Sequence, residues 1–121
     1  MPRIFCSGIG KYLTLATLLL LGVPLFAQPA NDDPCGAIPL TINTTCSFSA
    51  GTSVAATATA GIPVPGCANY AGADVWFSAV VPANGQLIFD SNVGGLTDGG
   101  MALYSATACN GTFTLIECDD D

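Results

Sequence analysis

The sequence predicts an all-β fold, specifically a β-sandwich of jelly-roll type, and three observations carry that prediction. No segment after the first 27 residues has a helical repeat of apolar positions. Short β-prone runs alternate instead with Gly, Pro, Asn and Asp punctuation. About six such runs at this spacing are what a two-layered β domain requires.

The strongest run is "DVWFSAVV", Asp74 to Val81, with Val75, Phe77, Ala79 and Val81 on one face and Trp76, Ser78 and Val80 on the other. "PANG", Pro82 to Gly85, supplies turn chemistry, because Asn-Gly tolerates positive φ. "QLIFD", Gln86 to Asp90, reads as the returning strand, so a hairpin is expected over Asp74–Asp90. "MALYS", Met101 to Ser105, and "TFTLIE", Thr112 to Glu117, are two further strands. "LTIN", Leu40 to Asn43, and "TSVAATATA", Thr52 to Ala60, are weaker ones; alternation and flanking glycines favour strand over helix in the second. The last strand stops about four residues before the chain does, leaving an apolar edge that exported proteins normally protect. The chain is therefore expected to be truncated, without its final strands.

The domain organisation is a leader over 1–27 followed by one β module over 28–121. Arg3 and Lys11 form a basic n-region, and "YLTLATLLLLGVPLFA", Tyr12 to Ala27, is a Leu-rich apolar stretch broken by Pro24. A small residue, Ala27, precedes Gln28, completing the pattern of a secretory signal peptide, although Leu25 replaces the usual small residue two positions earlier. The apolar run is too short for a stable membrane span. Export to the cell surface or beyond is the expected localisation.

All nine acidic residues lie in the module, which has no Lys, Arg or His. Such a chain repels phosphate backbones, which excludes nucleic acid as a partner. A Ser or Cys nucleophile would lack its usual base, and no feature picks out a carboxylate pair for glycoside hydrolysis. The sequence reads as non-catalytic.

The module keeps Cys35, Cys46, Cys67, Cys109 and Cys118, a density that marks a disulfide framework in an exported protein. No CxxC pair and no His supports zinc instead. Cys109 and Cys118 flank "NGTFTLIE" and are expected to form a local bridge; the odd remainder also fits a missing partner.

Two acidic runs stand out, "NDDP" with Asp32 and Asp33, and "ECDDD" with Asp119 and Asp120. Calcium takes six to eight oxygen ligands and favours clustered carboxylates. Asp32, Asp33, Asp119 and Asp120, joined by Asp98 in "TDGG", are its candidate ligands; the competing reading is solvated loops that keep the protein soluble. Tyr70, in "GCANYAGAD", is the candidate ligand contact, expected to be exposed, whereas Trp76 reads as core. Asp74 caps a turn or binds a ligand equally well on this evidence. Asn43 and Asn110 each begin an N-x-Thr sequon.

Taken together, "NDDPCGAIPLTINTTC", "TAGIPVPGCANYAGADVWFSAVVPANGQLIFD", "LTDGGMALYS" and "LIECDDD" resemble a β-sandwich module repeated in large proteins exported by type IX secretion in Gram-negative bacteria. That module is similar to the bacterial pre-peptidase C-terminal domain. The resemblance covers about Asn31 to Asp121. It implies a non-catalytic accessory or adhesion domain whose partners are neighbouring domains of a larger surface protein, with calcium-binding members in the group. It also implies further strands and another cysteine after the acidic ending. The alternative function is a carbohydrate-binding module that targets an attached enzyme to polysaccharide.

Overall fold

The computed structural model of the chain describes residues 27–92 and 94–120. The expected leader, with Arg3, Cys6 and Lys11, lies outside the described residues except for Ala27, and Asp121 lies outside them too. The described chain is strand and coil with a single 3-10 turn at Pro34–Gly36, where Pro34 presets φ and gives up no ladder donor. No helix among the described residues is long and apolar enough to cross a membrane.

Among the described residues four strands form two two-stranded sheets. Strand β1 (Ile38–Pro39) pairs in parallel with β2 (Phe77–Ser78), Ile38 opposite Phe77. Two backbone bonds bracket the pair: the Ile38 N–H donates to the Trp76 carbonyl (3.1 Å) and the Leu40 N–H to the Ser78 carbonyl (2.7 Å). Strand β3 (Gly100–Ser105) pairs antiparallel with β4 (Thr114–Asp120), from Gly100 opposite Asp120 to Ser105 opposite Thr114. The register slips between Leu103 and Tyr104: Leu103 faces Glu117 but Tyr104 faces Leu115. Ile116 is thereby the extra, unpaired residue of a bulge, and it is exposed. Gly100 admits the close approach of the 67–69 loop, since a Cβ there would collide with the Ala68 side chain.

The all-β class expected from the sequence is the class observed. β3 and β4 occupy the expected runs, although β4 starts at Thr114 and continues through Asp119 and Asp120. Both carboxylates are exposed, and as neighbours on a strand they point to opposite faces, so water screens their repulsion.

Other expectations are corrected. The Asp74–Asp90 hairpin does not form: its turn is present, with the Gly85 N–H donating to the Pro82 carbonyl (2.8 Å) at φ 72, but Gln86–Asp90 makes no ladder. A two-stranded ribbon is marginal without a layer to cover its apolar face. Cover here is partial: Leu87 and Phe89 are half-buried, but Val80, Val81 and Ile88 are 84%, 59% and 93% exposed. Leu40–Asn43 is not a strand, because the pairing falls two residues earlier, at Ile38–Pro39. Thr52–Ala60 is neither strand nor helix; a turn closed by Ala56 N–H to Ser53 O (3.0 Å), with Ala55 at φ 63, interrupts its extension.

The local Cys109–Cys118 bridge is also corrected. The disulfides are Cys35–Cys109 (Cα–Cα 4.7 Å) and Cys67–Cys118 (Cα–Cα 6.1 Å), and Cys46 is a free, exposed thiol. Cys118 sits four residues into extended β4, about 13 Å from Thr114 at ~3.3 Å per residue, beyond bridging reach of the loop that holds Cys109.

Among the described residues no hydrophobic side chain is fully buried; the two buried residues are Asn31 (3% exposed) and Asp32 (7%). Apolar burial therefore contributes little, and disulfides and a polar network at the centre hold the elements together.

Candidate functional site

Among the described residues, polar contacts from distant parts of the chain converge around Asp74. The residue is delivered by the positive-φ run Gly72 (φ 90) and Ala73 (φ 64), which turns the chain just before the Trp76 backbone is captured. Capture is double: the Trp76 N–H donates to the Asn31 carbonyl (2.8 Å), and Asn31 Nδ2 donates to the Trp76 carbonyl (3.0 Å).

With the backbone fixed, the Asp74 carboxylate collects donors from three residues. Thr59 donates its backbone N–H to Oδ1 (3.2 Å) and its hydroxyl to Oδ2 (2.6 Å). Trp76 Nε1–H is shared between Asp74 Oδ2 and Thr59 Oγ1, 2.8 Å from each. The Tyr70 hydroxyl donates to Oδ1. Beside it, Asp32 is held the same way by a single residue, Thr57, through its N–H (2.6 Å to Oδ1) and its hydroxyl (2.7 Å to Oδ2). Alternate threonines of the Ala/Thr run thus serve two carboxylates in a region without a cation. Charge-assisted hydrogen bonds take the place of counter-ions there.

The electrostatics follow from these contacts. Burial pushes the Asp74 carboxyl up, but the bonds from Thr59 and Tyr70 outweigh it and leave the group below its ordinary value. Burial, then the bond to Asp74 and its negative charge, push the Tyr70 hydroxyl up to about 12. Tyr104 is raised as well, by burial and then by the Asp74 charge. A carboxylate with its lone pairs occupied and its acidity enhanced is a weak proton acceptor.

An aromatic cluster backs the carboxylate. Trp76 lies 5.7 Å from Tyr104 and 5.6 Å, edge-on, from Phe113, and Tyr104 and Phe113 are 6.3 Å apart. Such separations suit tilted and edge-to-face packing. The Tyr104 hydroxyl donates to the Pro63 carbonyl (2.6 Å), which pins β3 to the loop that carries Tyr70. Trp76, expected in the core, is half-buried in this cluster.

Tyr70, expected to be exposed, is half-buried, and its hydroxyl is committed to Asp74; one edge of it borders a shallow depression with Pro65, Asn69 and Asp120. Asp32 is beside the Asp74 centre, Asp33 is exposed just before the 3-10 turn, Asp98 lies in the bend before β3, and Asp119 and Asp120 close β4. Among the described residues no three His, Cys, Asp or Glu side chains form a group that could hold a metal ion, so these five are not gathered into one. Thr57, Thr59 and Asn31 were not legible as site residues; the only trace of them is the Thr-Ala-Thr spacing in an otherwise bland run. Compared with known proteins, the chain matches no family, no curated relative and no solved structure.

Proposed function

We propose that residues 28–121 are a non-catalytic accessory or adhesion module of an exported protein, a disulfide-stapled β domain of the sandwich class that resembles the pre-peptidase C-terminal domain. The observation that carries this reading is how the most polar cluster is used. Asp74, Tyr70, Thr59 and Trp76 spend their hydrogen-bonding capacity on one another, and the module has no Lys, Arg or His to complete an acid–base or nucleophilic constellation. Two intramolecular disulfides suit an oxidising, extracellular setting. The function is then structural, holding neighbouring domains or a surface contact, with calcium at the acidic runs as its stabilising ion.

Two measurements on the full chain test it. Melting of chelator-stripped protein with and without added calcium decides the metal: an unchanged melting temperature removes calcium from the proposal. A glycan array decides the class. No glycan binding is expected; binding that disappears in Tyr70→Ala would replace this reading with a carbohydrate-binding module.

A further inference from the structure

We propose that the two disulfides have different fates, Cys35–Cys109 being a reducible latch between the two sheets and Cys67–Cys118 a resistant structural staple. The first argument is access. Cys35 and Cys109 are both exposed and both border one open surface depression, together with Gly61, Asn110 and Phe113. Cys67 and Cys118 are half-buried: Cys67 shows only an edge to the depression beside Tyr70, and Cys118 is fixed in the β4 ladder opposite Ala102.

The second argument is charge. Disulfide exchange begins with attack by a thiolate, an anion. Asp120, two residues on along β4, shares the face of Cys118, and Glu117 and Asp119 flank it on the opposite face, so the attacker approaches that bridge through a negative field. Near Cys35 the acidic neighbours are two: Asp32, buried and hydrogen-bonded to Thr57, and Asp33, the one exposed carboxylate that borders the same depression. The acidic ending of the chain therefore shields its own disulfide.

The third argument is consequence. Cys35 lies in the 3-10 turn between Asn31, which holds Trp76, and β1. Cys109 lies in the β3–β4 connection, which ends at Phe113 against the Trp76 ring. The bridge spans a sequence separation of 74 and ties the β1–β2 sheet to the β3–β4 hairpin. No fully buried apolar side chain among the described residues replaces that tie once it is cut.

The step requires a dithiol reductant. Its thiolate attacks one sulfur of the bridge, the S–S bond breaks, and the other cysteine leaves as a thiolate that takes up a proton. The second thiol of the reductant then resolves the mixed disulfide. Two electrons pass to Cys35 and Cys109, and the dithiol becomes a disulfide.

The test uses the full chain under native conditions. Thiols already free are blocked with a light alkylating reagent, dithiothreitol is added stepwise, and newly exposed thiols are labelled with the heavy reagent and located by mass spectrometry. Cys35 and Cys109 are expected to label at about tenfold lower reductant than Cys67 and Cys118. Trp76 emission should shift to the red with that first step and return on reoxidation. Added salt should narrow the gap by screening the carboxylates around Cys118. Labelling of Cys67 and Cys118 first, or of both pairs together, overturns the proposal. So does reduction of Cys35–Cys109 that leaves Trp76 emission unchanged. The Cys35→Ser/Cys109→Ser variant should emit like the reduced protein; if it does not fold, the titration of the unaltered chain still decides.

Discussion

Two stretches that adjoin in sequence behave in opposite ways. From Asp74 to Ser78 nearly every polar group has a distant partner: Asn31 on the Trp76 backbone, Thr59 and Tyr70 on the Asp74 carboxylate, β1 on Phe77 and Ser78. From Ala79 to Asp90 the chain turns back on itself and contacts little, with Val80 and Ile88 among the most exposed large apolar residues. The two stretches have nearly the same share of apolar residues. Order follows the partner groups supplied from elsewhere in the chain, because unopposed apolar side chains gain nothing until another layer removes them from water. Here polar closure does what a hydrophobic core does in a larger domain.

The sharpest way to break this comparison is to cut the covalent tie behind the ordered stretch. Cys35→Ser/Cys109→Ser should lower unfolding free energy by about 4 kcal/mol, as expected for opening so long a loop, read from the urea midpoint. Next comes Asp74→Ala, which strands the Trp76 indole N–H, the Thr59 hydroxyl and the Tyr70 hydroxyl together. A loss of about 3 kcal/mol is expected from removing charge-assisted bonds in a half-buried site. Trp76→Phe keeps an aromatic ring in the cluster but removes the pyrrole part of the indole with the shared donor, and the lost hydrogen bonding should cost about 1 kcal/mol beyond the packing change.

The pH dependence sharpens the same contrast. The Asp74 carboxyl is lowered in the folded protein, so its contribution is present above its ordinary value near pH 4 and is lost as pH falls through the lower folded value. The Tyr70 hydroxyl is raised to about 12, so its contribution is intact below pH 10 and is lost between pH 10 and about 12, where the unfolded chain ionises first. Asp74→Asn should flatten the acid limb and Tyr70→Phe the alkaline limb of a melting-temperature profile. The smallest effect belongs to the open stretch: Ile88→Ala should change stability by no more than about 0.5 kcal/mol.

Legibility in the sequence divides along the same line. The β3 and β4 runs were readable because each is a short β-prone run bounded by turn residues and the two are neighbours in the chain, and the pairing extended into Asp119 and Asp120 because exposed carboxylates tolerate an edge. The turn at Pro82–Gly85 was readable from its residues alone. The hairpin around it was not, since local pattern says what a strand could bury but not whether a second layer exists to bury it against. The disulfide partners were hidden for a related reason: Cys109 and Cys118 are close in sequence, and the extension of β4 carries them apart. Asp74 had the right residue type, yet its role depends on Thr59, 15 residues away, and no short spacing encodes that contact.

The most direct test of the central claim, that a polar centre rather than an apolar face holds this domain together, is urea unfolding of Asp74→Ala and Ile88→Ala side by side, followed through Trp76 emission. A large fall in the midpoint for Asp74→Ala with Ile88→Ala unchanged is the predicted result. A stable Asp74→Ala protein beside a destabilised Ile88→Ala one would contradict the account and place the missing core on the Ala79–Asp90 stretch.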